Sequence, residues 1–170
     1  MLEKHTKLET PIKAILKELN IDYSEKFIAE LREILERGHE HIKPYPETMQ
    51  VLESLKKKYK LGMITNTNFF SFSNLDSLFQ VRKIFDAILT SYETNLLKPD
   101  PKLFKLMLKK LEVKENEVII VGDSLEDDVK SAENIGIRGI LIDRRSKHPS
   151  YKGRIISLDQ IKNYLEANNH

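Results

Sequence analysis

The chain has 170 residues, of which 40% are hydrophobic and 32% charged, and its net charge is only +2. This length suffices for one compact domain with a small appendage, and so small a positive excess argues against a nucleic-acid partner. The absence of cysteine excludes disulfides and thiolate chemistry. No apolar run approaches the ~20 residues of a membrane span. The polar N-terminus also lacks a signal-peptide core, so we expect a cytoplasmic protein with no membrane contact.

Residues 1–43 carry only helical patterns. Thr10 is expected to cap a helix that has Pro11 at its first position, because proline fits the first turn of a helix. Ser24 is expected to cap a second amphipathic helix. We therefore predict that residues 1–43 form a small helical cap.

From Pro44 onward, helices and strands alternate, so this proline is the predicted boundary and residues 44–170 the second domain. The predicted strands are short and wholly apolar, and they lie at residues 61–64, 87–89, 118–121, 139–142 and 155–156. Such strands are typical of a parallel sheet that helices cover on both faces. The predicted fold class is therefore α/β, a doubly wound parallel sheet with a small N-terminal helical cap.

Polar side chains follow three of these strands. Thr65 and Asn66 end the first strand, Lys98 lies in the loop after the second, and Asp123 opens an acidic stretch after the third that includes Asp127. In a doubly wound sheet, ligands bind outside the carboxyl ends of the strands. The sequence therefore places a hydroxyl, an ammonium group and a carboxylate cluster at one edge of the sheet.

These residue types suit a divalent cation and a phosphoryl group. Asp123 and Asp127 are four residues apart across a strand-to-helix turn, so both carboxylates can face one cation, and hard oxygen ligands favour Mg²⁺. Lys98 supplies a positive charge, and Thr65 supplies a hydroxyl that donates to phosphate oxygens. Phosphoryl transfer depends mainly on such positioning and charge stabilisation.

Each residue also has an ordinary structural explanation. Thr65 can satisfy its own turn, Asp123 can cap a helix, and Lys98 can be a solvated loop lysine. Asp128 suits a helix N-terminus through the helix dipole. The coincidence of three such positions at strand ends favours the functional interpretation. The five histidines do not assemble a site.

The same segments resemble motifs of the haloacid dehalogenase-like (HAD) hydrolase superfamily, of the phosphatase type. The segment Ile64-Thr65-Asn66 resembles motif II, Lys98-Pro99-Asp100-Pro101 resembles motif III, and residues 121–128 resemble motif IV. The resemblance covers the chain from about Pro44 to its end and implies a HAD-like Rossmannoid core.

The resemblance also implies roles for the strand-end residues. Thr65 and Lys98 would act in catalysis, and together with Asn66 they would bind the substrate. Asp123 and Asp127 would hold Mg²⁺. Dehalogenase chemistry is less favoured, because those relatives do not need a paired-acid metal site.

The first motif of the family, an apolar strand ending in Asp-x-Asp, has no counterpart. Residues 1–43 contain no apolar strand, and Asp22 is their only aspartate. Three explanations for the missing motif are a truncated product, natural loss, and a strand supplied by another chain. Truncation is favoured because the other motifs are intact. In the family this strand lies between the strands of motifs IV and II, so we expect a homo-oligomer through exposed sheet edges or a rearranged sheet.

The predicted function is a Mg²⁺-dependent phosphatase of a small phosphorylated metabolite, impaired because the nucleophile segment is absent. The alternative is a catalytically inactive module that binds a phosphorylated ligand or a partner. A receiver-type signalling domain also combines acids, threonine and lysine at strand ends. Its acids come first in the sequence, whereas the order here is Thr65, Lys98, Asp123.

Overall fold

The computed structural model describes residues 2–37 and 42–166. In chain order its helices and strands are α1 (Leu2–Glu18), α2 (Glu25–Arg37), α3 (Thr48–Lys56), β1 (Gly62–Thr65), α4 (Phe69–Phe79), α5 (Val81–Ile84), β2 (Ala87–Thr90), α6 (Ser91–Thr94), α7 (Pro101–Leu111), β3 (Ile119–Gly122), a π-helical segment (Leu125–Lys130), α8 (Ser131–Glu133), β4 (Arg138–Ile142), β5 (Arg154–Ile155) and α9 (Ile161–Glu166). Short 3₁₀ turns precede β3 and α9.

Helices α1, α2 and α4 form one compact unit. Its buried core consists of Ile12, Leu16 and Ile28, with Phe70 of α4 packed against them. The hydroxyl of Ser24 accepts a hydrogen bond from the Phe27 N–H at 3.2 Å, which confirms the predicted cap of α2.

The predicted start of the first helix is wrong, because Pro11 lies inside α1. Proline removes a single helical hydrogen bond, and the residues before it include good helix formers. His39, His41 and His170 lie outside the described residues. That the five histidines form no site therefore stays a prediction.

The remaining described elements form the second unit, which contains two parallel sheets. One sheet has the order β1-β2, with Thr65 opposite Thr90 at its carboxyl end. The other has the order β3-β4-β5, with Gly122 opposite Leu141. Among the described residues, β1 and β3 do not pair with each other.

Helices cover both faces of the three-stranded sheet. Ile119 and Val121 of β3 pack on the cluster of Val51 and Ile161, which belongs to α3 and α9. The alternate residue Ile120 packs on a second cluster, formed by the buried side chains Phe104, Leu108, Ala132 and Ile137. Since successive strand residues point to opposite faces, β3 is covered on both sides. This arrangement confirms the predicted doubly wound α/β fold.

The two sheets share this second cluster. Ile64 of β1 and Ile120 of β3 both pack against it, so α7 and its neighbours tie β1 and β3 together on one face. The division of the chain into residues 1–43 and 44–170 stays a prediction, and α4, from the later part, groups with α1 and α2. Within the described residues, no helix is both long and apolar enough to cross a bilayer.

Candidate functional site

Lys98 and Asp128 form an ion pair at the carboxyl ends of the two sheets. The Lys98 Nζ lies 2.6 Å from a carboxylate oxygen of Asp128, and their side chains are 17% and 4% exposed. Lys98 lies in the loop between α6 and α7, beyond β2, whereas Asp128 lies in the π-helical segment that follows β3. The pair therefore joins the loops that follow strands of two different sheets.

The backbone around β3 holds the Asp128 carboxylate in place. Its second oxygen accepts a hydrogen bond from the Ser124 N–H at 3.1 Å. Gly122 makes room for it, since a Cβ at that position would lie 2.2 Å from the Cβ of Asp128. The buried carboxylate thus has two defined donors, a backbone N–H and an ammonium group, as a buried charge requires.

A π-helical turn determines which acid faces Lys98. The Val129 N–H reaches back to the Ser124 carbonyl at 3.3 Å, a bond over five residues, and such a turn is wider than that of an α-helix. Asp128 is therefore buried, while Asp127 is exposed. Asp127 lies 3.1 Å from the Ser124 hydroxyl, which also accepts from the Asp127 N–H.

Asn66 is bonded to the backbone of Lys98 in both directions. Its side-chain oxygen accepts from the Lys98 N–H at 2.9 Å, and its side-chain nitrogen donates to the Lys98 carbonyl at 3.1 Å. This reciprocal pairing ties the end of β1 to the loop that carries the Lys98 ammonium group. The amide of Asn66 thus positions Lys98 in this structure.

Ser91, just after β2, holds the loop that follows β1. Its hydroxyl accepts from the Thr67 N–H and donates to the Thr67 carbonyl, each at 2.9 Å. The neighbouring Thr90 is fully buried, and its hydroxyl donates to Glu93 at 2.7 Å. That hydrogen bond lowers the pKa of Glu93, although burial opposes it. Thr65 is half-buried at the end of β1, opposite Thr90.

The predicted site residues thus fall into two groups. Thr65, Asn66 and Lys98 lie at the carboxyl ends of β1 and β2, and the structure joins Asn66 to Lys98 directly. The second group is Asp123 and Asp127, which follow β3 and are both exposed.

Sequence reasoning did not assign Asp128 or Ser91 to the site. The adjacent acids at 127 and 128 were a signal for the first, but Ser91 carried none.

The carboxylates after β3 suit a hard cation. Asp123, Asp127 and Asp128 all offer oxygen donors, and Mg²⁺ commonly takes only one or two carboxylates and fills its other positions with water and substrate phosphate. Across the described ranges, no cluster of three or more His, Cys, Asp or Glu is arranged to hold a metal ion by itself. One or two of these carboxylates match the protein share of a Mg²⁺ site that water and a phosphate group complete.

The sequence matches the family model for haloacid dehalogenase-like hydrolases over residues 2–142. The chain therefore belongs to the haloacid dehalogenase-like hydrolase family. Its fold resembles the crystal structure of a HAD phosphatase from Thermococcus onnurineus, with a TM-score of 0.72 and 29% identity. That alignment covers 90% of this chain and 69% of the other.

Two further relatives are named as phosphatases. The chain is 34% identical over 99 residues to a glyceraldehyde 3-phosphate phosphatase of Methanocaldococcus jannaschii, covering 56% of this chain and 42% of the relative. It is 32% identical over 100 residues to a ribulose-1,5-bisphosphate 5-phosphatase of Halopiger xanaduensis, covering 58% and 41%. The matched region thus spans less than half the length of these two relatives.

Proposed function

We propose that this chain acts in a Mg²⁺-dependent phosphatase that hydrolyses monophosphate esters of small metabolites. The observation that carries the proposal is the Lys98–Asp128 ion pair at the carboxyl ends of the strands. Family membership and the names of the two phosphatase relatives support it. Net charge near zero supports a small-molecule substrate rather than a nucleic acid.

Each proposed residue has a distinct role. The Thr65 hydroxyl and the Lys98 ammonium group bind the phosphoryl oxygens and offset the negative charge that develops during transfer. Asn66 borders the substrate and keeps Lys98 in place through its two backbone hydrogen bonds. Mg²⁺, held by Asp123 together with Asp127 or Asp128, would neutralise the phosphate oxygens.

A second candidate function is a catalytically inactive module that binds a phosphorylated ligand or a partner. The observation in its favour is that the 170 residues contain no Asp-x-Asp sequence, the element that carries the nucleophile in the family. Among the described residues, β1 pairs only with β2 and β3 only with β4, so each keeps a free edge where a strand from a second copy or another chain can add. We propose a homo-oligomer through these edges.

Hydrolysis of p-nitrophenyl phosphate, with and without Mg²⁺, separates the two functions. Lys98→Gln and Asp123→Asn test the site, and Lys102→Gln, an exposed lysine four residues further on, is the matched control for Lys98. Mg²⁺-dependent turnover that both site variants abolish supports the phosphatase. Absence of turnover, with inorganic phosphate still bound in a Lys98-dependent way, supports the binding module. Turnover unaffected by either site variant refutes the proposed site.

Calorimetric Mg²⁺ titrations in the presence of inorganic phosphate distinguish the two candidate acids. We expect Asp128→Asn to weaken Mg²⁺ binding by at least ~10-fold if Asp128 is the second ligand, because a carboxylate donor is lost. The same loss in Asp127→Asn would instead assign Asp127. Asp159→Asn, an exposed acid in the turn before α9, should leave the affinity unchanged.

Light scattering tests the proposed oligomer. A Lys substitution at an edge position, such as Met63→Lys in β1, should shift an oligomer toward the monomer, since edge lysines oppose strand pairing. A chain that is monomeric at all concentrations would remove support for assembly through these edges.

A further inference from the structure

The loop after β4 concentrates positive charge. Between Asp143 and Asp159 the sequence contains no acidic residue, and its lysines and arginines are Arg144, Arg145, Lys147, Lys152 and Arg154. Local charge of one sign at the edge of a sheet attracts ligands of the opposite sign. The first question is which of these cations already have a partner within the protein.

Two of the arginines are neutralised internally. Arg144 forms a 2.6 Å ion pair with Glu47, and its guanidinium lies 3.6 Å from the centre of the Tyr45 ring. Arg154 forms a 3.2 Å ion pair with the buried carboxylate of Asp143. These two residues therefore anchor the ends of the loop and are not available to a ligand.

Asp143 also gives the loop a defined shape. Its carboxylate accepts from the Lys147 and His148 N–H groups, each at 2.8 Å, and its carbonyl accepts from the Ser146 N–H at 3.1 Å. Burial alone would raise the pKa of Asp143, but these N–H donors and Arg154 outweigh it and lower the pKa. The turn at residues 143–148 is thus held by a carboxylate that stays ionised.

Arg145 and Lys147 lie on this turn, and Lys152 follows five residues after Lys147. All three residues are exposed, and within the described part of the chain none of their side chains has an ion-pair partner. All three belong to the segment that leads from β4 to β5. These three side chains form what we call the basic loop.

The basic loop lies at the same edge of the sheet as the candidate site. Strands β3 and β4 are parallel neighbours, with Gly122 opposite Leu141. Asp123 after β3 and Asp143 after β4 therefore lie beyond the same carboxyl edge of the sheet. Neighbouring strands lie ~4.8 Å apart. A metabolite whose phosphate lies beside Asp123 therefore has its remainder within reach of this loop.

We propose that the basic loop binds a second anionic group of the substrate, either a phosphate or a carboxylate. The proposal rests on the function proposed above and narrows its substrate class to small metabolites with two anionic ends. One phosphate is bound at Lys98, and the other end is bound by Arg145, Lys147 and Lys152 through charge-assisted hydrogen bonds. Three cations within eight residues suit a small anion, whereas a nucleic acid would need a more extended basic surface.

Calorimetry with matched ligands tests this inference. Fructose 1,6-bisphosphate is compared with fructose 6-phosphate, and 3-phosphoglycerate with glycerol 3-phosphate, all in the presence of Mg²⁺. The test variant combines Arg145→Gln, Lys147→Gln and Lys152→Gln. The control removes the same charge at the opposite edge of the sheet by combining Lys58→Gln, Lys109→Gln and Lys110→Gln. Thermal unfolding of both variants verifies that they remain folded.

We expect the unaltered chain to prefer the ligands with two anionic ends. The test variant should weaken their binding by about tenfold, consistent with the loss of several exposed charge contacts, and should leave the single-ended ligands within about twofold. If the test variant loses affinity for the bisphosphate alone, the second group is a phosphate. If it loses affinity for 3-phosphoglycerate alone, the second group is a carboxylate. Equal losses in the control and test variants would overturn the inference.

The two proposals fail in different ways. Binding of fructose 6-phosphate that Lys98→Gln abolishes, together with unchanged bisphosphate binding in the test variant, overturns only the inference. If Lys98→Gln leaves the binding of every ligand unchanged, the proposed site is wrong and the inference that depends on it is overturned with it.

Discussion

Lys98 and Asp128 are 30 residues apart in the sequence, yet the Lys98 Nζ lies 2.6 Å from an Asp128 carboxylate oxygen. They follow strands of two separate sheets, and among the described residues those sheets share no strand pairing between β1 and β3. This ion pair, with the apolar cluster around Phe104, therefore connects the two sheets at the edge where the proposed chemistry takes place.

The first prediction concerns the stability contributed by this pair. Replacing Lys98 by Met should lower the free energy of unfolding by about 2–3 kcal/mol, because it leaves a buried carboxylate without its cation. Urea denaturation measures the change, and Lys102→Met, an exposed lysine nearby, should stay within about 0.5 kcal/mol of the unaltered chain.

Combining Lys98→Met with Asp128→Leu should recover part of that loss, since the double variant no longer buries an unpaired charge. A Lys98→Met chain as stable as the unaltered one would show that solvent, rather than Lys98, compensates the Asp128 carboxylate.

The second prediction concerns Gly122. An alanine Cβ at this position would lie 2.2 Å from the Asp128 Cβ and 2.4 Å from its carboxylate, so Gly122→Ala must displace Asp128. We expect a loss of about 1–3 kcal/mol in stability, typical of overpacking, and weaker Mg²⁺ and phosphate binding.

Gly62→Ala in β1 is the matched control for Gly122→Ala. Its Cβ would approach the flexible Met107 side chain at 2.8 Å, which can move aside more easily than the acid-bearing turn. Equal effects of the two substitutions on phosphate binding would contradict the role assigned to the Asp128 position.

The third prediction concerns Ser91. Ser91→Ala removes both hydrogen bonds to the Thr67 backbone and should lower stability by about 1–2 kcal/mol. Because these bonds hold the loop after β1, the amide hydrogen of Thr67 should exchange with solvent faster. Hydrogen exchange followed by NMR measures this, with Ser150→Ala, an exposed serine, as the control. Unchanged protection at Thr67 would show that the loop is held by other contacts.

The fourth prediction concerns pH. The backbone N–H of Glu47 itself is the largest influence lowering the pKa of that carboxyl to about 2; burial opposes it, while Arg144 and the Leu158 N–H add to it. Because the pKa is lower in the folded state, the stabilisation is complete above the unfolded value of 4.5 and is lost as the pH falls toward 2.

Glu47→Gln should therefore reduce stability by about 1 kcal/mol at pH 7 and flatten the decline in unfolding temperature between pH 5 and pH 2. Thermal denaturation across this range measures both effects. Glu53→Gln, an exposed residue of α3, is the control. An identical pH profile in Glu47→Gln and the unaltered chain would exclude the proposed contribution.

Much of the fold followed from local patterns in the sequence. The apolar strands and their turn residues predicted a parallel sheet with helices on both faces. Asp100 caps α7 with its side chain, accepting from the Lys102 N–H as expected for an aspartate before Pro101. Gly136 adopts a φ of +87° just beyond the helical stretch, where glycine is favoured. These features depend on contacts within a few residues, which is why the sequence reveals them.

Only the tertiary structure shows which acid forms the ion pair with Lys98 and that the described strands form two separate sheets. The four-residue spacing across a strand-to-helix turn predicted Asp123 and Asp127 as a metal-binding pair, and that assignment stays a prediction. The partner of Lys98 is Asp128, which lies buried in a π-helical turn in the space that Gly122 leaves. The sequence by itself determined that acids, a lysine and a hydroxyl stand at strand ends. Which of their atoms lie within bonding distance depends on helix winding and on packing between distant segments, and no local pattern encodes these.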